Sequence, residues 1–318
     1  MRILVVGASG LVGQHIVGRL RRRGHESTAV ARTRRAGVDH ALDATTATVA
    51  DLRTLLAGHD GVVFAAGVDD RDVPRKPAYP VFFKGNAEPV TRLLTAAREE
   101  GLTRAVVLGS YYTHFHREHP EWRLTELHPY IRSRVEQARA ARAAGGFPVA
   151  VLELPFVFGR AGNRLPNWSG PLERWARSRS PLVAPPGGSA ATTAARVAEV
   201  AVEALEDASG ADIPIGDENL TWREMFARIA AATGNPRRVR SLSPAVVRVG
   251  LRLTGLVHAF AGKESGLDPA HLSNLLLREL FIGGGTAGAV DDAIRDTFGS
   301  RADDHLGRVG ETRSETDQ

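Results

Sequence analysis

Seven residues constrain this chain more than any others: Gly7-Ala8-Ser9-Gly10-Leu11-Val12-Gly13. The apolar run Ile3-Leu4-Val5-Val6 precedes them. Leu11, Val12, Ile16, Val17 and Leu20 then recur at helical spacing. The pattern is strand, glycine turn, helix. Residues without a Cβ let the backbone bend tightly and let a pyrophosphate approach the amides. The helix N-terminus offers that anion free N–H groups and a positive dipole end. By this mechanism the stretch is a dinucleotide site, with Gly7, Ser9, Gly10, Leu11, Val12 and Gly13 as its cofactor-binding residues. The glycines fall as GxxGxxG, so the flanking strand and helix must carry the assignment.

A second strand, Ser27–Ala31, ends in Ala31-Arg32-Thr33-Arg34-Arg35. A site for the 2′-hydroxyl of NAD usually places Asp or Glu here, whereas arginine suits a 2′-phosphate. Arg32 lies 19 residues past Gly13, where that discriminator belongs. The expected cofactor is therefore NADP rather than NAD. Asp39–Asp43 offers a short third strand. Asp43, followed by Ala44, either accepts from an adenine amino group or starts a turn. After a helix at Val49–Ala57, the buried strand Val62–Phe64 ends in Ala65-Ala66-Gly67, small enough for backbone to pass close to a cofactor.

Residues 68–80 read as a loop, and Asn86–Gly101 as a helix. Strand Arg104–Gly109 delivers Ser110 at its C-terminal end, where ligands sit in open α/β sheets. His114, His116 and His119 fall in the next loop, with no carboxylate pattern that would make a metal site. Pro129 starts a helix that carries Tyr130 and, one turn on, Arg134. Strand Val149–Leu154 leads into Pro155-Phe156-Val157-Phe158-Gly159. Such alternation predicts an α/β fold, a doubly wound parallel sheet with helices on both faces.

From Arg160 the pattern turns to Pro, Gly, Trp and Arg, with one helix at Pro171–Arg179. Ala194–Glu206 is a helix and Ile213–Ile215 a short strand. Thr221 and Glu224 form a capping box for another helix. Residues 243–282 look helical and amphipathic, like a lid. This divides the chain into a dinucleotide-binding domain, 1–160 with 190–216 returning to it, a mostly helical substrate-binding part, 161–189 and 217–298, and a polar tail, 299–318, expected to be disordered.

The chain has no cysteine, which excludes disulfides and thiolate chemistry and fits a cytoplasmic protein. The first residues read as a strand rather than a signal peptide. No apolar run approaches ~20 residues; Val246–Ala261 contains Arg248, Arg252 and His258. Net charge is +5, and the basic residues, nearly all arginine, are mixed with acids. Neither a membrane nor a nucleic acid is the expected partner.

Taken in order, several motifs resemble those of an extended short-chain dehydrogenase/reductase in the NAD(P)-dependent epimerase/dehydratase group. They are Gly7, Gly10 and Gly13; Asp43; Ala65-Ala66-Gly67; Asn86; Ser110; Tyr130; and Leu154 to Gly159. The likeness covers about residues 1–235. It implies a Rossmann-type fold, with Asn86, Pro155 and Val157 added to the cofactor contacts. It also implies that Tyr130 is the general acid/base and that Ser110 bonds the same substrate oxygen. Dimers of the family pair the helices at Glu88–Glu100 and Tyr130–Ala144, so a homodimer is implied. Here the second helix offers only Ile131, Val135 and Ala138 as a seam.

Two positions depart from the family. Arg134 stands where a lysine normally binds the nicotinamide ribose and lowers the tyrosine pKa. The charge survives, but the planar fork differs in shape and does not release protons. Glu153 stands where members often carry arginine. Two functions follow: an NADP-preferring oxidoreductase or epimerase acting on a carbonyl or secondary alcohol of a small molecule, or a non-catalytic NAD(P)-binding sensor or scaffold. A membrane-surface or nucleic-acid partner, suggested by the helix near Val246–Ala261, is a third and weaker reading.

Overall fold

The computed structural model describes residues 1–299. Its first half alternates strand and helix: β1 (Arg2–Val6), α1 (Leu11–Arg22), β2 (Glu26–Ala31), β3 (His40–Ala41), α2 (Val49–Leu56), β4 (Gly61–Phe64), α3 (Tyr79–Glu99), β5 (Arg104–Leu108), α4 (Tyr112–Glu118), α5 (Leu124–Leu127), α6 (Pro129–Gly145) and β6 (Val149–Glu153). The second half holds β7 (Phe156–Phe158), α7 (Ser169–Arg177), β8 (Leu182–Ala184), β9 (Gly188–Thr193), α8 (Ala194–Glu206), β10 (Asp212–Pro214), β11 (Glu218–Thr221), α9 (Trp222–Ala232), β12 (Val239–Ser241), α10 (Pro244–Phe260), α11 (Pro269–Leu276), β13 (Glu279–Leu280) and α12 (Asp291–Phe298).

Among the described residues, seven strands form one sheet in the order β10-β6-β5-β4-β1-β2-β3. Every pairing in it is parallel. Side-chain alternation sends Ile3 and Val5 to one face and Leu4 and Val6 to the other. Ile3 and Val5 pack with Ile16, Leu20, Val197, Ala201 and Leu205 of α1 and α8. Leu4 and Val6 pack with Leu52, Leu56, Val90, Leu93 and Ala141 of α2, α3 and α6. Both faces are covered, as a Rossmann-type sheet requires. Strand order reverses between β1 and β4, and the glycine turn leaves β1 at that crevice.

Beyond β6, β7 pairs with β9 in a smaller sheet ordered β11-β9-β13. Phe158, Leu220, Trp222, Met225, Ile294 and Phe298 make its core. Thr221 caps α9 with Glu224 in the expected reciprocal box.

Three sequence expectations change. α3 begins at Tyr79, well before Asn86; Pro80 sits in its first turn, where a missing N–H costs nothing, and Pro89 is accommodated inside. His114 and His116 lie on helix α4, not on a loop. The stretch 243–282 is two helices and a strand, separated where Asp268 caps α11. Of the tail, residues 300–318 lie outside the described residues. In the dimer seam, Ile131 and Ala138 are buried within the protomer's own core.

Candidate functional site

The glycine turn is built by close contacts. Gly7 has φ +89°, and a Cβ there would stand 2.6 Å from the Ala65 oxygen. A Cβ on Gly13 would stand 2.2 Å from the Gly7 oxygen, so α1 packs directly on the turn. Amides of Gly7 and Ala8 both donate to the Val30 oxygen, at 2.9 and 3.0 Å. Gly10 caps α1 without a side-chain bond, and no acid stands in the first turn. The first amides of the helix therefore face the crevice without a side-chain partner.

These elements enclose a cleft of about 390 Å³. Gly7, Ser9 and Gly10 form its floor, Arg32 and Asp43–Ala44 one end, and Ala65–Gly67 its side. Asp43 serves a turn and the cleft together. Its Oδ1 accepts from the Thr45 amide and hydroxyl at 2.9 and 2.7 Å. Those two bonds hold its carboxyl below the usual carboxylate range. Bare glycine backbone and an uncapped helix end at a strand-order reversal fit the phosphates of a dinucleotide.

A second cavity, of about 630 Å³, opens at the ends of β5 and β6. Leu11, Val12, Ser110, Tyr130, Pro155 and Val157 border it. Its far wall is aromatic and apolar: Phe156, Trp168, Leu172, Trp222, Phe226 and Leu276. Trp175 does not border the cavity but packs against Phe226 of its wall, with ring centroids 5.4 Å apart.

Tyr130 is fixed at both ends. Its amide donates to the Gly266 oxygen at 2.9 Å. Its ring meets Phe82 edge-on, with centroids 5.8 Å apart. Burial pushes the hydroxyl above its ordinary value; the Arg134 cation opposes the rise, Asp70 adds to it, and the Ser110 hydroxyl and Arg71 oppose it. The net direction is upward, so Oη keeps its proton at neutral pH.

Arg134 comes to this tyrosine from below. Its Cζ lies 5.7 Å from the Tyr130 ring centroid. Nη2 donates to the Leu108 oxygen at 2.9 Å, and Nη1 to Asn86 Oδ1 at 3.3 Å. Nε is buried and has no partner. The guanidinium also packs on Gly67, where an added Cβ would stand 3.2 Å from Nη1. Asn86 is fully buried and also accepts from the Val68 amide at 2.8 Å while donating to Ser133 at 3.2 Å. Asn86, Gly13 and Arg134 thus brace the site and border neither cavity.

Sequence reasoning missed Asp70 and Arg71, both on the wall of the larger cavity. Burial pushes the Asp70 carboxyl up to about 6. The available signal was position: Asp69-Asp70-Arg71 follows the Ala65–Gly67 strand end directly. The structure also accounts for Glu153. It is fully buried and takes a bidentate pair from Arg117, at 2.6 and 2.8 Å, and a bond from the Thr113 hydroxyl. The guanidinium in that region comes from α4 instead of β6. Among the described residues no group of His, Asp and Glu could hold a metal. No helix among them is long and apolar enough to cross a membrane.

The chain belongs to the NAD dependent epimerase/dehydratase family, which its sequence matches over residues 3–178. Its fold is that of the extended short-chain dehydrogenase/reductases. A UDP-N-acetylglucosamine 4-epimerase from Bacillus cereus is 18% identical, with a TM-score of 0.65 over 99% of this chain and 98% of that one. The enzyme of the same description from Methanobrevibacter ruminantium, in complex with UDP-N-acetylmuramic acid, is 15% identical, with a TM-score of 0.65 over 93% and 96%. A dTDP-4-dehydrorhamnose reductase from Bacillus anthracis, in complex with NADP, is 13% identical, with a TM-score of 0.60 over 76% and 84%. No curated protein matches the sequence. Neighbours of this fold have been solved with NAD and with NADP.

Proposed function

We propose that the protein is an NADP(H)-preferring oxidoreductase that interconverts a carbonyl and a secondary alcohol on a small, largely apolar molecule. One observation carries this reading: Ser110 and Tyr130 border the aromatic cavity together, beside Leu11 and Val12 of the glycine turn, and the Arg134 guanidinium lies 5.7 Å from the Tyr130 ring. The cofactor supplies or accepts the hydride when bound. Tyr130 Oη, protonated at neutral pH, donates to the substrate oxygen in reduction and takes the proton back in oxidation. Ser110 bonds the same oxygen and stabilises its developing charge. Arg134 holds its positive charge beside the phenol without exchanging protons, and so favours phenolate after transfer.

Segments 161–189 and 217–298 supply most of the aromatic wall, and we assign the substrate to them. Arg71 is the only basic residue on that wall among the described residues, and it is paired with Asp69 and follows Asp70 directly. A nucleoside diphosphate needs more positive charge than this, so an apolar carbonyl compound suits the cavity better than the sugar nucleotides bound by the structural neighbours.

The alternative, a non-catalytic NAD(P) sensor, is favoured by one feature. Arg134 is engaged by Leu108 and Asn86 instead of bordering a cavity. Turnover of NADPH with a panel of apolar ketones and aldehydes separates the two. The enzyme reading expects turnover that falls by about 10²–10⁴ in Tyr130→Phe, with NADPH binding retained. A variant with full activity removes Tyr130 from proton transfer. NADPH binding with no turnover of any panel member leaves the sensor reading.

A further inference from the structure

Helix α10 shows its apolar side to solvent. Val246, Val249, Leu253, Leu256, Val257 and Phe260 are 54–91% exposed, Phe260 the most. At about 100° per residue they fall in one stripe about 100° wide. The opposite side is the one that packs on the protein, through Val247, Leu251 and His258. A soluble surface helix has the reverse arrangement. One exposed leucine needs no explanation, but six in register do.

The charge around the stripe is of one sign. From Met225 to Lys263 the chain has no Asp or Glu, yet it carries Arg228, Arg237, Arg238, Arg240, Arg248, Arg252 and Lys263. Arg238, Arg240, Arg248, Arg252 and Lys263 are exposed. None of these five forms an ion pair among the described residues, whereas fourteen of the other described arginines do. Arg248 and Arg252 lie along one border of the stripe, at helical positions next to Val249 and Leu256.

We infer that α10 is an interfacial helix that seats the protein on an anionic lipid surface, its apolar stripe among the acyl chains and its arginines among the headgroups. An apolar stripe bordered by arginines is the pattern such helices use. The charge argues against the other occupants. An isologous contact between two copies brings the same patch face to face, and this patch has no acid to answer Arg248 and Arg252. A nucleic acid would meet the arginines but leaves six exposed apolar side chains unused, because such interfaces are polar.

The helix is also tied to the candidate site. Gly262 accepts from the Lys76 amide at 3.0 Å, and the Glu264 amide donates to the Pro74 oxygen at 3.0 Å. Residues 74–78 follow directly on Asp69–Arg71 of the aromatic cavity. Gly266, four residues past Gly262, accepts the Tyr130 amide. A surface that holds α10 therefore sits a few residues from the cavity, and an apolar substrate dissolved in a bilayer would have a short path to it.

Co-sedimentation of the full chain with vesicles tests this without cofactor or turnover, so its failure is distinct from failure of the oxidoreductase reading. One set of vesicles is phosphatidylcholine alone; the other is an equimolar mixture with phosphatidylglycerol. The protein is expected to bind the anionic vesicles at least about tenfold more tightly, and added salt should weaken that binding. The double substitution Leu253→Ser with Phe260→Ser should weaken it at least about tenfold. Arg248→Gln with Arg252→Gln should weaken binding to the anionic vesicles alone. All four side chains are exposed, and an unchanged circular-dichroism spectrum and thermal midpoint check that each variant is folded. Failure to bind either vesicle overturns the inference, as does equal binding by the serine variant. So does a wild-type dimer in light scattering that the serine variant converts to monomer, which would assign the stripe to a second copy.

Discussion

Arg134 donates from Nη2 to the main-chain oxygen of Leu108, the last residue of β5. A lysine ammonium would have to reach the Leu108 oxygen and Asn86 Oδ1 from a single atom, whereas the guanidinium reaches them from two nitrogens of one planar fork. The shape of the guanidinium is thus in use, beyond its charge. Arg134→Met leaves the Tyr130 phenol buried without its nearest cation. Under the proposed function kcat falls by about a hundredfold or more, and the alkaline limb of the pH–rate profile moves upward. Arg134→Lys keeps the charge and loses the bracing, so it should be intermediate. A lysine variant faster than wild type would show that arginine impairs the site.

Asp70 and His128 set opposing pH dependences on stability. Burial raises the Asp70 carboxyl from 3.8 to about 6. The folded chain then keeps a proton that the unfolded chain gives up, so stability falls as pH rises from about 4 to 6, by about 3 kcal/mol at most. Burial lowers His128 from 6.5 to about 4, its Nδ1 accepting from the Asp268 amide at 3.1 Å. Here the unfolded chain takes up a proton that the folded chain refuses. Stability is therefore lost as pH falls from 6.5 to 4, by a similar amount. In wild type the two slopes largely cancel. Denaturant unfolding of Asp70→Asn at several pH values should expose the histidine slope, with the variant more stable than wild type at pH 7. His128→Asn should expose the opposite slope. A variant with the wild-type profile would show that its residue does not titrate as the burial implies.

The Arg117–Glu153 pair is asymmetric. Glu153 is 0% exposed and the Arg117 side chain 41%. Arg117→Leu strands a buried carboxylate with only the Thr113 hydroxyl and should cost about 3–5 kcal/mol. Glu153→Gln keeps an acceptor for Thr113 and leaves a guanidinium that reaches water, at a cost of about 1–2 kcal/mol. Urea unfolding midpoints give the order directly. A larger loss in the glutamine variant would mean that Arg117 is held out of water more than its exposure indicates.

The sheet was legible because its strands are short apolar runs bounded by glycine, and because Gly7–Gly13 has a single mechanical use. Capping residues Thr221 and Glu224 were readable for the same reason: a local rule suffices. Asp70 was not, since nothing in Asp69-Asp70-Arg71 distinguishes a cavity wall from a solvated turn until Tyr112 of α4 and Tyr130 of α6 share a cavity with it. The start of α3 was hidden by Pro80, which reads as a loop residue although it falls in a first turn. Glu153 had no account because its partner is 36 residues away and reaches it only through tertiary packing. The sequence also showed α10 as amphipathic, but which face is outward depends on its neighbours in the fold.

Cofactor choice rests on Arg32, which follows the last residue of β2 and is exposed at the end of the dinucleotide cleft. Thr33 and Arg35 border the same end, with Arg35 donating to the Thr33 hydroxyl at 2.7 Å. The nearest acid there, Asp43, has one oxygen committed to Thr45. A 2′-phosphate would meet a guanidinium in this corner, whereas a 2′-hydroxyl lacks the carboxylate at the β2 end that usually receives it. Fluorescence titration of wild type should therefore show tighter binding of NADPH than of NADH. A charge-assisted bond of about 1.5–3 kcal/mol corresponds to roughly ten- to a hundredfold in affinity. Arg32→Ala should lose that much for NADPH and change NADH by less than about twofold. Raising the salt concentration should narrow the wild-type difference, because the corner is open to solvent. An equal loss for both cofactors would mean that Arg32 supports the cleft itself and does not read the ribose. Failure of wild type to bind either would return Gly7–Gly13 to a purely structural turn.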